Sequence, residues 1–315
     1  MLDQVRNQLN SQGVNRDSKL LLAFSGGVDS VVILDILVKI GFTNITLAHY
    51  DHNLRLDSDQ ENYLVGRLAN KYQVALIEGR YQSGKSDEAS LRQARHNFLE
   101  EQLGYANSDY LVLAHHQDDL IETIVANAIR GAGIKGYSPF ANRKTVLRPM
   151  LGLNKNQLYR YANSEGLEFI EDYTNYQLNY QRNLYRWLLL PNLNSTDRDL
   201  FLVHHQNMDQ SLRSINQNLK SWTKLNLIFR DSAYRVDKKL IQGLDQEFII
   251  AWLDWLFNRD KLGFYSSKRL ELMTNWLLST TNNKRFSVGK KWLVMNDGWL
   301  IFEGLTDMIE KRISD

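Results

Sequence analysis

The first half of the chain alternates short apolar runs with segments in which apolar residues recur at helical spacing. The apolar runs predict buried strands at Lys19–Phe24, Asn44–Tyr50, Gln73–Glu78 and Asp109–His115, with a fifth near Thr145–Arg148. The periodic segments predict helices at Val28–Ile40, Ser58–Tyr72, Glu88–Leu103 and Asp118–Arg130. Apolar strands that alternate with helices are typical of a parallel sheet covered on both faces. We therefore predict a doubly wound α/β fold, in which ligands bind beyond the carboxyl ends of the strands.

The pattern changes after Pro191, which closes an apolar run and marks a candidate domain boundary. Helical periodicity continues at Asp199–Phe229, Gln246–Phe257 and Ser267–Ser279. The apolar stretches Phe286–Met295 and Trp299–Glu303 flank an Asn-Asp-Gly turn, which is typical of a β-hairpin. We predict a first domain over residues 1–193 and a smaller, mainly helical domain over residues 194–315 that ends in a hairpin.

The composition narrows the class of protein. Of 315 residues, 43% are hydrophobic and 23% are charged, which excludes wholesale disorder. No apolar run approaches the roughly 20 residues that cross a bilayer, and the first residues do not resemble a secretory signal. We expect a soluble cytoplasmic protein that has no membrane partner. The chain has no cysteine, so disulfides, thiolate metal sites and thiol nucleophiles are excluded.

The net charge of +2 conceals an uneven distribution along the chain. Residues 1–129 carry 11 Lys and Arg against 17 Asp and Glu, whereas residues 213–291 carry 15 against 7. A basic stretch of this kind fits a polyanionic partner such as nucleic acid. Solvated helix faces explain the same numbers equally well, so charge alone leaves both interpretations open.

A glycine-rich loop, Ser25-Gly26-Gly27-Val28-Asp29-Ser30, joins the first predicted strand to the first predicted helix. Paired glycines let backbone N–H groups approach a phosphate closely, and the helix N-terminus adds partial positive charge. Asp29 suits such a loop if Mg²⁺ lies between its carboxylate and the phosphates. The loop is thus a candidate phosphate site, and a capped strand–helix turn is the structural alternative.

A second loop, Gly79–Ser86, matches the Walker A pattern and also lies between a strand and a helix. Chance matches to this pattern are more than ten times as frequent as matches to the first loop, given the residue frequencies of this chain. Asp87 and Glu88 directly after Lys85-Ser86 would place carboxylates against the phosphates. We therefore favour the first loop and interpret Asp87 as a helix cap.

Histidines and aspartates near the strand ends allow a different enzyme class. His49, His52, His115 and His116 could ligate metal, with Asp51, Asp118 and Asp119 as bridging ligands of a phosphohydrolase. This alternative leaves the glycine-rich loop unexplained, so it stands second.

Further motifs follow the glycine-rich loop in a fixed order. They are His49–Arg55, Glu88–Arg95, His115–Thr123, Arg130–Gly133, Arg148-Pro149, Glu171–Asn175 and Tyr180–Arg186. This set resembles the tRNA(Ile)-lysidine synthetases, a family of N-type ATP pyrophosphatases that carry a PP-loop, over residues 19–193. The chain departs from the family pattern at His96, Leu120 and Thr174, none of which removes an expected charge.

The resemblance implies a ligase that forms a carbon–nitrogen bond. Such an enzyme uses ATP and Mg²⁺ to adenylate the wobble cytidine of the CAU anticodon of minor tRNA(Ile), releasing pyrophosphate. L-Lysine then displaces AMP and gives lysidine. The implied partners are this tRNA, bound in part by the second domain, and L-lysine, and a homodimer is left open. Another adenylating enzyme of the superfamily and a non-catalytic tRNA-binding protein remain as alternatives.

The resemblance also implies roles for individual residues. The implied catalytic residues are Asp29, Asp118, Asp119, Glu122 and Arg186, with Asp29 and Asp119 as Mg²⁺ ligands. The implied ATP contacts are Ser25, Gly26, Gly27, Val28, Asp29, Ser30, Ala48 and His49. The implied lysine and tRNA contacts are His115, Glu122, Arg182, Arg186, Arg92 and Arg95.

Overall fold

The computed structural model describes residues 1–51, 58–81, 87–132, 134–140, 145–171, 188–257, 265–289 and 291–314. The chain divides into two compact units, Met1–Asp209 and Gln210–Asp315. The division falls inside a single helix, Ser195–Asn226, later than the predicted domain limit at residue 193. Of the predicted helical segment Asp199–Phe229, the part up to Asn226 belongs to one long helix and not to two shorter ones, but Ile228 and Phe229 are wrongly included because they lie in a strand. The predicted domain limits stay a prediction.

A five-stranded sheet forms the centre of the first unit. Its strands are β1 (Leu20–Ala23), β2 (Ile45–Asp51), β3 (Ala75–Arg80), β4 (Tyr110–Val112) and β5 (Val146–Leu147). Their order is β3-β2-β1-β4-β5, and every neighbouring pair is parallel. Leu20 of β1 is in register with Ile45 of β2 on one side and with Tyr110 of β4 on the other. The predicted parallel sheet is confirmed.

This strand order has a direct consequence for ligand binding. The chain moves outward from β1 through β2 to β3 and then returns to the other side of β1 with β4. The loops that follow β1 and β4 therefore leave the sheet side by side, at the crevice where doubly wound proteins bind ligands. The loop after β1 is the glycine-rich loop Ser25–Ser30, and the loop after β4 leads into the motif His115–Thr123.

Seven helices accompany the sheet within the described residues. They are α1 (Leu2–Ser11), α2 (Val28–Lys39), α3 (Ser58–Tyr72), α4 (Glu88–Tyr105), α5 (Gln117–Ile129), α6 (Lys155–Ser164) and α7 (Ser195–Asn226), the last reaching into the second unit. The sequence analysis did not predict α1 and α6. Where the structure describes the chain, no helix combines the length and the apolarity needed to cross a membrane.

Helix α2 is buried along almost its whole length and forms the centre of the main apolar core. In the middle of this apolar helix lies one carboxylate, that of Asp35, and it is itself buried. The Asp35 carboxylate accepts hydrogen bonds from Tyr72 of α3 at 2.9 Å and from Tyr161 of α6 at 2.7 Å. Burial, together with the bond to Asp35, raises the pKa of Tyr161 to about 12, so its hydroxyl stays a donor. Asp35 thereby ties α6 to α2.

The second unit contains an antiparallel sheet and further helices. The strands are β6 (Ile228–Arg230), β7 (Ala233–Asp237), β8 (Lys284–Val288), β9 (Lys291–Asn296) and β10 (Trp299–Glu303). The helices are α8 (Lys238–Gln242), α9 (Gln246–Phe257), α10 (Ser267–Ser279) and α11 (Thr306–Ser314). The sheet order is β6-β7-β10-β9-β8, with all neighbouring strands antiparallel.

The predicted hairpin is confirmed as β9 and β10, but the predicted strand Phe286–Met295 is wrong as a single element, because a turn at Gly289, with φ of +64°, divides it between β8 and β9. Asp297 and Gly298 in the turn between β9 and β10 have φ of +47° and +80°, as a two-residue turn of the primed type requires. The hairpin is the middle of a larger sheet and not an isolated terminal element, which the sequence analysis did not foresee. All three residues of β6 are exposed, and its apolar pair Ile228-Phe229 falls at the end of the segment predicted as helical, so the sequence pattern did not separate the strand from that helix.

Three tryptophans of the second unit, Trp222, Trp252 and Trp276, pack in its core. Trp252 is fully buried and donates a hydrogen bond to the hydroxyl of Thr223 at 2.9 Å. Trp222 packs against Trp252, and Trp276 packs against Phe286. These side chains stabilise the fold and are not free platforms for stacking bases.

Candidate functional site

The loop after β1 turns sharply into α2. Gly26 has φ of +76°, a conformation that side chains disfavour, and its carbonyl oxygen accepts a hydrogen bond from the N–H of Ile170 at 3.0 Å. A Cβ at Gly26 would meet Ile170 at 3.3 Å and Val65 at 3.4 Å. Conformation and space together require glycine here.

Ser25 and Ser30 stabilise this loop by hydrogen bonds within it. The Ser30 hydroxyl donates to the carbonyl oxygen of Gly27 at 2.8 Å and accepts from the N–H of Ser25 at 3.3 Å. Gly27 is the N-cap of α2 and has no side chain to cover the first N–H groups of the helix. The loop therefore presents backbone donors and a helix N-terminus to an anion, as the sequence analysis expected.

Asp29 lies in the first turn of α2, directly after this anion-binding backbone. Its two carboxylate oxygens lie 2.7 and 2.9 Å from the ammonium nitrogen of Lys155, the first residue of α6. The same carboxylate lies 3.7 Å from Nε2 of His116. The Lys155 ammonium thus lies beside a carboxylate that was predicted to bind a metal ion.

The loop after β4 brings a second carboxylate to the same place. The Asp119 carboxylate accepts a hydrogen bond from the N–H of His116 at 3.1 Å, which caps the start of α5. The same oxygen lies 3.4 Å from His116 Nε2. The carboxylates of Asp29 and Asp119, which come from different strand ends, therefore approach one buried imidazole nitrogen. We call Asp29, His116, Asp118, Asp119 and Lys155 the switch-point cluster.

Asp118 is bound by protein groups. One of its carboxylate oxygens accepts the backbone N–H of Lys155 at 2.8 Å, and the other pairs with the guanidinium of Arg198. Arg198 also donates to the carbonyl oxygen of Leu190 at 2.7 Å. This geometry supports a positioning role for Asp118, and direct contact with substrate stays a prediction.

Glu122 lies one helical turn after Asp118 on α5, and both side chains are buried. The predicted shared face of these two carboxylates is therefore realised. The role of Glu122 toward lysine stays a prediction.

His115 lies at the edge of the cluster and is held on two sides. Its ring stacks on Phe140 with centroids 4.6 Å apart, and Arg148 Nε donates to its Nδ1 at 3.1 Å. Loss of hydration, together with the nearby cations of Arg148 and Arg95, lowers the pKa of His115 to about 4, against the raising effect of Asp119. The ring is therefore neutral near pH 7, with its proton on Nε2.

The predicted arginines are placed only in part. Arg92 and Arg95 are exposed on α4, and the effect of Arg95 on the pKa of His115 shows that its charge lies near the cluster. Arg182 and Arg186 lie outside the described residues. Their predicted roles stay predictions.

Ala48 and His49 are buried at the end of β2. His49 Nδ1 lies 2.9 Å from the carbonyl oxygen of Phe24, and Nε2 lies 2.9 Å from the side-chain oxygen of Asn62. Both ring nitrogens of His49 are thus engaged inside the protein, and any nucleotide contact would come from its backbone.

The two rival sites of the sequence analysis gain no support. Asp87 caps α4 by accepting the N–H of Ser90 at 3.0 Å, as predicted, while residues 82–86 of the Walker-like loop lie outside the described residues. Among the residues that the structure describes, no group of three or more His, Cys, Asp or Glu side chains could hold a metal ion. His52 also lies outside them.

The donor set nevertheless fits Mg²⁺. This ion is usually bound by one or two carboxylates, with waters and substrate phosphates completing its coordination. Asp29 and Asp119 supply two carboxylates beside an anion-binding loop, and Lys155 shows that the position at Asp29 favours a cation. The residues present therefore match a magnesium site that substrate phosphates complete.

The sequence did not predict that Lys155 and Arg198 pair with Asp29 and Asp118. One local signal was readable: Asn154 and Gln157 form a capping box, with hydrogen bonds of 3.0 and 2.8 Å, that marks the start of α6. It locates Lys155 at a helix N-terminus but does not show its partner.

The chain is similar to known proteins in sequence and in fold. The PP-loop domain family matches residues 1–193. A tRNA(Ile)-lysidine synthase of Bacteroides thetaiotaomicron is 30% identical over 292 residues, covering 89% of this chain and 66% of the relative. One of Methylococcus capsulatus is 34% identical over 193 residues, covering 58% and 44%. The chain thus spans about half to two thirds of the length of these relatives.

Among solved structures, a U34-tRNA thiolase of Methanococcus maripaludis has a TM-score of 0.58 at 14% identity. The match covers 67% of this chain and 78% of the thiolase. At this identity the likeness concerns the fold alone, and it agrees with the doubly wound sheet.

The lowered pKa of His115 predicts that the stability of the folded protein depends on pH. Between pH 6.5 and about pH 4, His115 is protonated in the unfolded chain but neutral in the folded protein. The free energy of unfolding therefore decreases as the pH falls through this range. We expect the melting temperature of His115→Asn to depend less on pH there than that of the wild type.

Thermal unfolding followed by circular dichroism measures this difference. His96→Asn, which removes an exposed histidine of α4, serves as the control and should keep the wild-type pH dependence. Equal slopes for the wild type and His115→Asn would contradict the assignment.

Proposed function

The chain belongs to the PP-loop domain family, whose members use ATP, and on this basis we propose that it is a tRNA(Ile)-lysidine synthetase. It would adenylate the wobble cytidine of the CAU anticodon of minor tRNA(Ile), releasing pyrophosphate, and then transfer L-lysine to form lysidine with release of AMP. The observation that carries the proposal is the approach of Asp29 and Asp119 to His116, beside the glycine-rich loop.

The first half-reaction concentrates negative charge on phosphate. In the proposal, the N–H groups at the start of α2 and the loop of Ser25–Ser30 hold the β and γ phosphates as they leave. Mg²⁺, bound to Asp29 and Asp119, would neutralise charge on the departing pyrophosphate. His116 lies between these two carboxylates, and Asp118 and Arg198 fix the start of α6 beside them.

A neutral His115 provides a specific donor in this scheme. Because Arg148 occupies Nδ1, the Nε2–H of His115 can donate to an acceptor of the bound cytidine without adding positive charge. The stacked Phe140 fixes the plane of the ring, so the direction of this donor is set before substrate arrives.

The second half-reaction needs groups that bind lysine. Glu122, buried on α5, is the proposed partner for an ammonium group or the base that takes its proton. Arg182 and Arg186, four positions apart in the sequence, are proposed to bind the lysine carboxylate or a phosphate.

The second unit is proposed to bind the tRNA backbone. Residues 213–291 carry 15 Lys and Arg against 7 Asp and Glu. The exposed cations that the structure describes there include Lys224, Lys268 and Lys284. Since the tryptophans Trp222, Trp252 and Trp276 belong to the core, charge and not base stacking on them would supply the affinity.

The proposed chemistry predicts a large effect at Asp29. Incubation with ATP, Mg²⁺, labelled lysine and minor tRNA(Ile) should place label in the tRNA, and a changed wobble cytidine should abolish incorporation. Asp29→Asn should lower the rate of tRNA adenylation at least a hundredfold, roughly 2.7 kcal/mol or more, because the site loses a charge that balances the cation.

Lys85→Ala, in the rival loop, is the matched control and should stay within a few-fold of the wild type. An inactive Lys85 variant beside an active Asp29 variant would show that the Walker-like loop is the nucleotide site. Adenylation of tRNA without lysine transfer would indicate a different amine.

The charge of the second unit predicts a change in salt dependence. Replacement of Lys224, Lys268 and Lys284 by serine in the full chain removes up to three phosphate contacts. The slope of log affinity for tRNA against log salt should then become shallower by about one for each lost contact. The control, Arg16→Ser with Lys19→Ser in the first unit, should keep the wild-type slope. Filter binding at several salt concentrations measures it, and an unchanged slope in the triple variant would assign these lysines to a solvated face.

A further inference from the structure

Lys155 joins the two loops of the site through its backbone and its side chain. Its backbone N–H donates to the Asp118 carboxylate at 2.8 Å, and its ammonium lies 2.7 and 2.9 Å from the two oxygens of Asp29. Asp118 follows β4 and Asp29 follows β1, so one residue bridges both sides of the crevice.

The backbone of Lys155 is held firmly. The capping box of Asn154 and Gln157 sets the start of α6, and Arg198 fixes the carboxylate that receives the Lys155 N–H. Tyr161, further along α6, is bound to the buried Asp35 of α2. The Cα of Lys155 therefore has a set position relative to Asp29.

The side chain of Lys155 has more freedom than its backbone. About one third of the side chain is exposed, as is that of Asp29. Its ammonium also lies 5.3 Å from the centroid of the Tyr159 ring, so an aromatic face is available to a cation on the same helix. A four-carbon stem lets the ammonium reach a new partner without moving α6.

The position of the ammonium creates a conflict with the proposed chemistry. The Lys155 ammonium takes one acceptor position on each oxygen of Asp29 and repels a divalent cation that approaches the same carboxylate. Without any cation, however, the Asp29 carboxylate would repel the phosphates that the neighbouring loop is built to bind. Asp29 therefore needs a positively charged partner in every state of the site, and this partner must be able to change from Lys155 to the divalent ion.

We propose that Lys155 is the resident cation of Asp29, which competes with the divalent ion for this carboxylate and pairs with the nucleotide phosphates once the ion is bound. The inference rests on the proposed use of Mg²⁺ and ATP at this site but not on the identity of the tRNA or the amine. Lys155 is thus a positioning residue in the free protein and a phosphate ligand in the complex.

The first test measures metal binding without nucleotide. Lys155→Met keeps the length of the side chain and removes its charge, so Mn²⁺ alone should bind at least fivefold more tightly than to the wild type, as measured by calorimetry. Lys19→Met, at the opposite end of β1, is the control and should bind Mn²⁺ as the wild type does. The gain should vanish when Asp29→Asn is added to Lys155→Met.

The second test measures nucleotide binding. At saturating Mg²⁺, Lys155→Met should bind α,β-methylene-ATP at least fivefold more weakly than the wild type, and Lys155→Arg should recover part of the loss. Circular dichroism establishes that the variants fold, and Lys155→Gln replaces Lys155→Met if the latter does not.

Two results would overturn the proposal. Unchanged or weaker Mn²⁺ binding in Lys155→Met would exclude competition, and unchanged nucleotide binding would exclude transfer to the phosphates. Neither assay contains tRNA or lysine, so a failure of lysidine formation leaves both results interpretable.

Discussion

The pairing of β1 with strands on both of its sides is the constraint on which the site depends. Leu20 is in register with Ile45 of β2 and Tyr110 of β4, so the loops after β1 and β4 leave the sheet together. One loop begins α2 with a glycine N-cap and the other begins α5 with two acidic residues. An anion-binding backbone and a pair of carboxylates thereby meet in one crevice, although nearly ninety residues separate them in the chain.

Gathering carboxylates beside a phosphate site creates repulsion that the fold must offset. The structure does so with fixed donors, because Asp118 is held by Arg198 and by the start of α6, and Asp119 caps α5. Asp29 is held by a flexible lysine instead. Of the two carboxylates proposed to bind the cation, Asp119 thus has a fixed place at the start of α5, whereas the partner of Asp29 can be exchanged. His115 next to them stays neutral since burial and nearby cations lower its pKa.

The pairing of Asp29 with Asp119 was implied by the family resemblance, whereas local pattern was sufficient to predict the parallel sheet and the glycine-rich loop at a helix start. Each depends on apolar runs, on glycines at a turn or on motifs that follow buried strands. Lys155 and Arg198 were beyond reach, because they meet Asp29 and Asp118 across 126 and 80 residues through the packing of α6 and α7. The strands β6 and β7 were missed as well, since β6 continues the apolar pattern of the preceding helix and the five residues of β7 are too few and too mixed in polarity to show alternation. His49 was expected beside the nucleotide, but its ring serves the fold.

The central claim is that Asp29 and Asp119 act on a single divalent cation together with the phosphates of ATP. The most direct measurement is a double-mutant cycle of Asp29→Asn and Asp119→Asn on the binding of Mn²⁺ with α,β-methylene-ATP. A shared site predicts that each single variant weakens binding at least tenfold and that the double variant is hardly weaker than either. Losses that add fully in the double variant would mean that the two carboxylates act independently, and would contradict the account.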